Sequence, residues 1–291
     1  LAIFEHMDVM TTLNITDSQV LDFVLDVAAG YQTVPYHSFY HSVDVVVKLY
    51  YVLTTLCGER YLTSYDVAAL LIAGLCHDIG HPGFNNLYQK HANTDLAQKY
   101  GDASILEKHS CHETRRLLDK HQLLVHLQPT ISPVGLNRNY SPVTADTLTN
   151  SITEMILMTD MAVHYRVVEQ CNQLVELQRL FFCNVTLHAV DIFNPVLPWD
   201  MCKRWSDVMI QESFRQGDLE KLHNFPITPS MDRTQTEQCQ ISLDFAHYIV
   251  KPFFESLAYL FPVDGFVIDS LNDNIRHWEK LREETRVPAV L

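Results

Sequence analysis

The chain has 291 residues, 47% of them hydrophobic, and a formal net charge of −14. That is length enough to bury a large core, and the charge excludes a duplex nucleic-acid binder, which needs a basic face, and disfavours docking on an anionic membrane. The seven cysteines lack any Cys-x-x-Cys spacing and read as reduced thiols of a cytoplasmic protein.

Helical periodicity dominates from end to end. The N-terminus, Leu1-Ala2-Ile3-Phe4, carries neither a signal-peptide pattern nor an initiator Met, so residues 1–291 read as one domain cut from a longer protein. Thr16 or Asp17 caps a segment reaching Ala29 and stopped by Gly30. Residues 38–57 read as an amphipathic helix ended by Gly58, and Thr63-Ser64 opens a helix over 64–77. Its stretch Val67 to Leu75 is apolar all round, as in a buried helix, and too short to span a bilayer. Ser104 opens a helix to about Lys120, and Gln128 to Thr147, rich in Pro, Ser, Asn and Thr, reads as an irregular connection. Leu148 to Cys183 reads as one long helical run. Shorter helices are predicted at 185–193 and 198–216, the second stopped by Gly217; Met231 to Thr236 reads as a loop, and helices at 238–260 and 264–285 complete the chain. No alternating strand, repeat or linker is visible, which points to an all-α, single compact domain of a dozen or more helices.

Three clusters carry chemistry. In Cys76-His77-Asp78-Ile79-Gly80-His81-Pro82-Gly83, adjacent His and Asp offer an imidazole nitrogen and a carboxylate oxygen where a core helix breaks. In Tyr36-His37-Ser38-Phe39-Tyr40-His41, the two His are four apart and would share a helix face, one free to bind a metal and the other to move protons. In His188-Ala189-Val190-Asp191-Ile192-Phe193-Asn194-Pro195, an Asp in an apolar helix is either a satisfied cap or a ligand. Together His41, His77, Asp78 and Asp191 supply two nitrogens and two oxygens, a donor set that suits Zn2+ with open positions. The other oxygen of Asp78 can bridge to a second ion held mostly by water, which suits Mg2+ or Mn2+.

The ordered motifs His37-x-x-x-His41, His77-Asp78-x-x-His81-x-Gly83-x-x-Asn86, Glu107-x-His109, Thr159-Asp160 and Asp191-x-x-Asn194-Pro195 resemble the catalytic domain of class I 3′,5′-cyclic-nucleotide phosphodiesterases, and the likeness runs on through Trp205-Ser206-Asp207 and Phe214 to Asp218. The resemblance implies a deep binuclear metal pocket in an all-helical fold. It implies His41, His77, Asp78 and Asp191 as metal ligands, His37 as general acid, and His81, Glu107, His109 and Thr159 as groups ordering metal-bound water. It also implies Tyr36, Asn194, Ile192, Met161, Trp205, Met209 and Phe214 around the nucleotide. The expected reaction opens cAMP or cGMP to the 5′-monophosphate, with a metal-bridging hydroxide attacking phosphorus and His37 protonating the departing O3′. Regulatory domains outside the chain, and a homodimer, are compatible with the resemblance.

The chain departs from the family pattern twice. Ser38 stands where Asn is usual after the acid His, and Ser242 stands where the family places a base-binding Gln three residues before a clamping Phe, here Phe245. Gln240 is two residues early, a rotation of about 200° on a helix, so Ser242 and Gln240 compete for the base. Asn194 favours adenine by resemblance alone. Two other classes fit parts of the pattern, a phosphohydrolase of noncyclic nucleotides and a nucleotide-binding module without turnover. The motifs after Asp191 weigh against the first and the retained His37 against the second.

Overall fold

A computed structural model describes residues 1–56, 58–127, 143–173, 179–260 and 265–286. Its α-helices in chain order are α1 (Ala2–His6), α2 (Val9–Leu13), α3 (Asp17–Gly30), α4 (Phe39–Thr54), α5 (Ser64–Cys76), α6 (Asn86–His91), α7 (Asp95–Tyr100), α8 (Ile105–Lys120), α9 (Ala145–Leu157), α10 (His164–Gln173), α11 (Arg179–Asp191), α12 (Trp199–Leu222), α13 (Gln238–Asp244), α14 (Lys251–Leu260) and α15 (Phe266–Arg286). No strand occurs among the described residues, so the class is all-α, as the periodicity predicts.

Local chemistry sets several helix starts. Reciprocal capping boxes pair Thr16 with Gln19, Thr63 with Asp66 and Thr144 with Thr147, each satisfying two otherwise orphaned N–H groups. Helix α5 is the central rod: every residue from Val67 to Cys76 is buried, against α2, α4, α8, α9 and α11. Two apolar clusters meet at α11. Its Cys183, Leu187 and Val190 belong to the cluster around α5, and Val185 and Ala189 to the one built by α10 and α13–α15. That helix is buried on both sides, and its last residue, Asp191, comes out beside the end of α5.

Several predicted boundaries are corrected. Helix α4 starts at Phe39 and ends at Thr54, so His37 lies before the helix and the shared-face argument for His37 and His41 does not hold. Cys57 lies outside the described residues, as do 128–142 of the predicted irregular connection, whereas Ala145 to Thr147 are helical. The run Leu148 to Cys183 is not one helix. The Thr159 hydroxyl donates to the Ile156 carbonyl at 2.8 Å and the Asp160 carboxylate accepts from Ala162 N–H at 2.9 Å, which turns the chain between α9 and α10; residues 174–178 lie outside the described set. Gly217 does not end α12, which runs on to Leu222; a Cβ there would sit 2.0 Å from the Met231 carbonyl oxygen, so the glycine admits a crossing backbone. The 238–260 helix is continuous but widens into a π-helical stretch over Phe245–Val250. The start of the last predicted helix, residue 264, lies outside the described residues. The short helices α1, α2, α6 and α7 span too few residues for periodicity to detect.

Candidate active site

Two helix ends and one helix face bring the predicted ligands together. His77 caps α5, Asp78 follows it, Asp191 ends α11, and His41 projects from the first turns of α4. His41 Nε2 lies 2.9 Å from Asp191 Oδ1 and 3.7 Å from Asp78 Oδ2; His77 Nε2 lies 3.0 Å from Asp78 Oδ2 and 3.3 Å from Asp191 Oδ1. Side chains spread over 150 positions of sequence thus come together: the ligating atoms of His41, His77 and Asp191 lie within 4.8 Å of one another, and Asp78 stands beside both imidazoles. Both imidazoles are fully buried, while the two carboxylates keep a partly open face.

The donor set fits a cation. His77 Nδ1–H donates to the Gly74 carbonyl at 2.9 Å, so Nε2 is the atom turned to the cluster, and that buried Nε2 has no hydrogen-bond partner. Burial pushes the carboxyls of Asp78 and Asp191 up, but the surrounding imidazoles together outweigh it, His77 foremost, with His37 and His81 acting on Asp78 and His41 on Asp191, and hold both below the usual carboxylate range. For His77 burial lowers the pKa and the charges of Asp78 and Asp191 raise it further than burial depresses it. The cluster therefore draws positive charge to its centre, which is what a metal-capable group of His and Asp does.

Beside the cluster stands a second assembly that includes a residue sequence reasoning missed. Glu212, on α12 and buried, accepts Tyr36 N–H at 2.8 Å and His37 N–H at 3.3 Å through one oxygen, and pairs with His37 Nδ1 through the other. Burial lowers the His37 pKa, but Asp78 and then Glu212 raise it by more, so the ring favours its imidazolium form. His81 stacks on it with centroids 3.9 Å apart and planes 25° apart. Two such rings cannot both carry charge; burial first and the His37 charge second bring His81 down to about 3. His81 Nδ1 accepts Gly83 N–H at 3.0 Å, a contact that the positive φ of Gly83 permits. Ligating atoms of His37, His81 and Glu212 also lie within 4.8 Å of one another, and His37 and Glu212 are already paired with each other. In sequence Glu212 is one carboxylate on an amphipathic helix, with no local signal to single it out.

The remaining predicted residues divide. Burial first and the Asp160 charge second push Glu107 up to about 7, although Asn86 Nδ2 donates to both its oxygens at 3.0 and 3.2 Å. His109 lies against Gly80, whose added Cβ would meet its Nε2 at 2.4 Å, and its Nδ1 is 3.4 Å from the Tyr100 hydroxyl. Thr159 is spent on the turn between α9 and α10.

A cavity of about 320 Å³ opens from Asp191 and His37 and is lined by Tyr36, Met161, Ile192, Asn194, Trp205, Met209, Ser242 and Phe245, among others. Two predicted wall positions are corrected. Gln240 is not on the wall: its Nε2 donates to Asp244 at 2.9 Å and its Oε1 accepts from Arg282 at 2.9 Å, on the far side of α13. Phe214 is not on the wall either and packs under the guanidinium of Arg233, 5.4 Å from the ring centre. Ser242 faces inward, its hydroxyl 2.9 Å from that of Ser206.

Comparison with known proteins agrees with this geometry. A family model described as 3′5′-cyclic nucleotide phosphodiesterase matches residues 36–271. The 3′,5′-cyclic-nucleotide phosphodiesterase regA of Dictyostelium discoideum is 31% identical over 290 residues, 96% of this chain and 35% of that protein. The mouse high affinity cGMP-specific 3′,5′-cyclic phosphodiesterase 9A is 28% identical over 97% of this chain and 53% of its own length, and mouse 3′,5′-cyclic-AMP phosphodiesterase 4C is 28% identical over 97% and 42%. The chain thus spans about a third to a half of the curated relatives it matches. Among solved structures, the phosphodiesterase domain of the RhoPDE fusion protein from the choanoflagellate Salpingoeca rosetta superimposes with a TM-score of 0.86 at 28% identity, over 98% of this chain and 90% of that one.

Proposed function

The chain belongs to the 3′,5′-cyclic nucleotide phosphodiesterase family, and we propose that it opens a purine 3′,5′-cyclic nucleotide to the 5′-monophosphate. The observation that carries this reading is the gathering of His41, His77, Asp78 and Asp191 beside a base-sized cavity that Asp191 and His37 line. Those four residues would hold a first ion, for which two nitrogens and two oxygens suit Zn2+, and the free oxygen of Asp78 would reach a second, for which Mg2+ or Mn2+ is suited. Bound there, the ions supply Lewis acidity to the phosphodiester and acidify water.

The chain's own residues account for the proton. His37 Nδ1 is engaged by Glu212, so the hydrogen available for transfer is on Nε2. Glu212 orients the ring and, by its charge, keeps the proton on it until the O3′ of the substrate departs. His81, held neutral against the face of the ring, leaves that charge unopposed. Glu107, anchored by Asn86, and His109 would order water near the cluster, and the apolar walls formed by Ile192, Met209 and Phe245 suit a base.

No helix among the described residues is long and apolar enough to cross a membrane. The cysteines described, all of them unpaired and buried, support a cytoplasmic setting. The greater length of the relatives supports regulation by segments of a longer protein; a homodimer is the remaining part of the proposal, checked by light scattering. The function is tested by product analysis after incubating metal-replete protein with cAMP, cGMP and a deoxynucleoside triphosphate. Release of 5′-AMP or 5′-GMP is expected. Turnover of the triphosphate alone would overturn the reading.

A further inference from the structure

One wall of the cavity is wired to a buried cation that the mechanism does not use. Lys48, on α4 and only 7% exposed, pairs with Asp44 at 2.6 Å and donates from Nζ to Asn194 Oδ1 at 2.7 Å. Asn194 Nδ2 in turn donates to the Tyr36 hydroxyl at 2.6 Å, and both Asn194 and Tyr36 line the cavity. An ammonium has no lone pair, so the atom of Asn194 that faces it must be the oxygen. The amide therefore cannot flip. Its second N–H, and the Tyr36 O–H behind the bond that Tyr36 accepts, have no protein partner among the described residues.

The other polar groups on the wall behave differently. The Ser206 and Ser242 hydroxyls lie 2.9 Å apart and either can donate; Gln238 Nε2 donates to Ser206 at 3.0 Å. Whichever serine donates to the other, the pair still offers both an O–H and a lone pair, and rotation lets it match either pattern. Discrimination therefore falls to the amide of Asn194, which cannot turn.

We propose that Lys48 fixes the amide of Asn194 so that the cavity presents an N–H donor there that cannot turn into an acceptor, and that this selects a 6-oxo purine, as in cGMP, over a 6-amino purine, as in cAMP. The inference rests on the reading above that a purine nucleotide occupies the cavity. Guanine carries two acceptors, O6 and N7, along the edge concerned; adenine carries N7 and an amino group. A fixed donor facing that amino group leaves two N–H groups opposed, and a site built to pair one pattern rejects the other strongly. This is the opposite of the adenine preference that resemblance alone attaches to Asn194.

The test measures affinity for 5′-GMP and 5′-AMP by titration calorimetry, with kcat/KM for cGMP and cAMP in parallel, on wild type, Lys48→Met, Lys48→Arg and Asn194→Asp. Wild type should favour the guanine nucleotide by about tenfold or more. Lys48→Met should bring the ratio to within about threefold, Lys48→Arg should preserve it, and Asn194→Asp, which turns an acceptor toward the base while keeping Lys48 paired, should reverse it. If Lys48→Met fails to fold because Asp44 is left unpaired, Asn194→Asp carries the test alone. Equal affinities in wild type, or an unreversed ratio in Asn194→Asp, would overturn the inference. Turnover of both cyclic nucleotides at equal kcat/KM would leave the phosphodiesterase reading standing and remove this one; discriminating binding with no turnover would do the reverse.

Discussion

Replacing Glu212 by Gln tests the proton donor with almost no change of shape. In wild type one oxygen of Glu212 accepts Tyr36 and His37 N–H at 2.8 and 3.3 Å, and a glutamine oxygen can keep both. The other oxygen, which pairs with His37 Nδ1, becomes an NH₂ group. An imidazolium would then oppose N–H to N–H, whereas a neutral ring with a bare Nδ1 would accept. A hydrogen bond to a charged group contributes about 1.5–3 kcal/mol, so losing it should lower the His37 pKa by about one to two units at 1.36 kcal/mol per unit. The sign follows from the raised pKa of His37: the acid form is present below that pKa and is lost as pH rises through it, and the variant loses it at lower pH. The measurement is kcat/KM against pH for a cyclic nucleotide with metal-replete enzyme. The alkaline limb should move toward acid by about one to two units, and the rate near neutrality should fall about 10- to 100-fold. An alkaline limb within about 0.3 unit of wild type, with kcat/KM within about twofold, would refute the assignment of His37 as the acid that Glu212 supports.

Other consequences are open to direct measurement. Gly217→Ala places a methyl 2.0 Å from the Met231 carbonyl oxygen, and it should cost about 1–3 kcal/mol in a denaturant melt and weaken nucleotide binding, because Met231 lines the cavity; a neutral effect would show that the two segments do not cross there. Gln240→Ala should leave KM for both cyclic nucleotides within about twofold, since its side chain is spent on Asp244 and Arg282, and a larger rise would return Gln240 to the base site. Gly80→Ala combines a positive φ of 81° with a Cβ 2.4 Å from His109 Nε2, so its melting temperature should fall by several degrees; an unchanged melt would mean that the tight turn is not required.

Three of the four candidate ligands were legible in the sequence because they sit at local discontinuities, whereas His41 lies within α4. His77-Asp78 stands where a wholly buried helix meets Gly80 and Pro82, and Asp191 closes an apolar helix. The placement of His37 was misread, because spacing of four argues for a shared face only inside a helix, and α4 begins at Phe39. The break after Leu157 was hidden since apolar residues keep helical spacing on both sides, while the turn itself is made by side-chain bonds of Thr159 and Asp160. Gly217 reads as a stop and is a crossing point, a distinction that depends on Met231 in another segment. Glu212 gave no local signal, and Lys48 only that of an ordinary pair with Asp44 one turn back; the partners that matter, His37 and Asn194, are 175 and 146 positions away. That Ser242 rather than Gln240 faces the cavity depends on contacts of α13 with α12 and α15, which no reading of one helix contains.

The central claim is that His41, His77, Asp78 and Asp191 hold a metal on which hydrolysis depends. The most direct measurement is a crystal structure of the metal-replete protein with anomalous scattering collected at the edge of each candidate metal. The account predicts an anomalous peak within coordination distance, about 2.0–2.2 Å, of both imidazole Nε2 atoms and both carboxylates, lost together with activity in Asp191→Asn. Full hydrolysis by protein with no ion bound among those four side chains would contradict it.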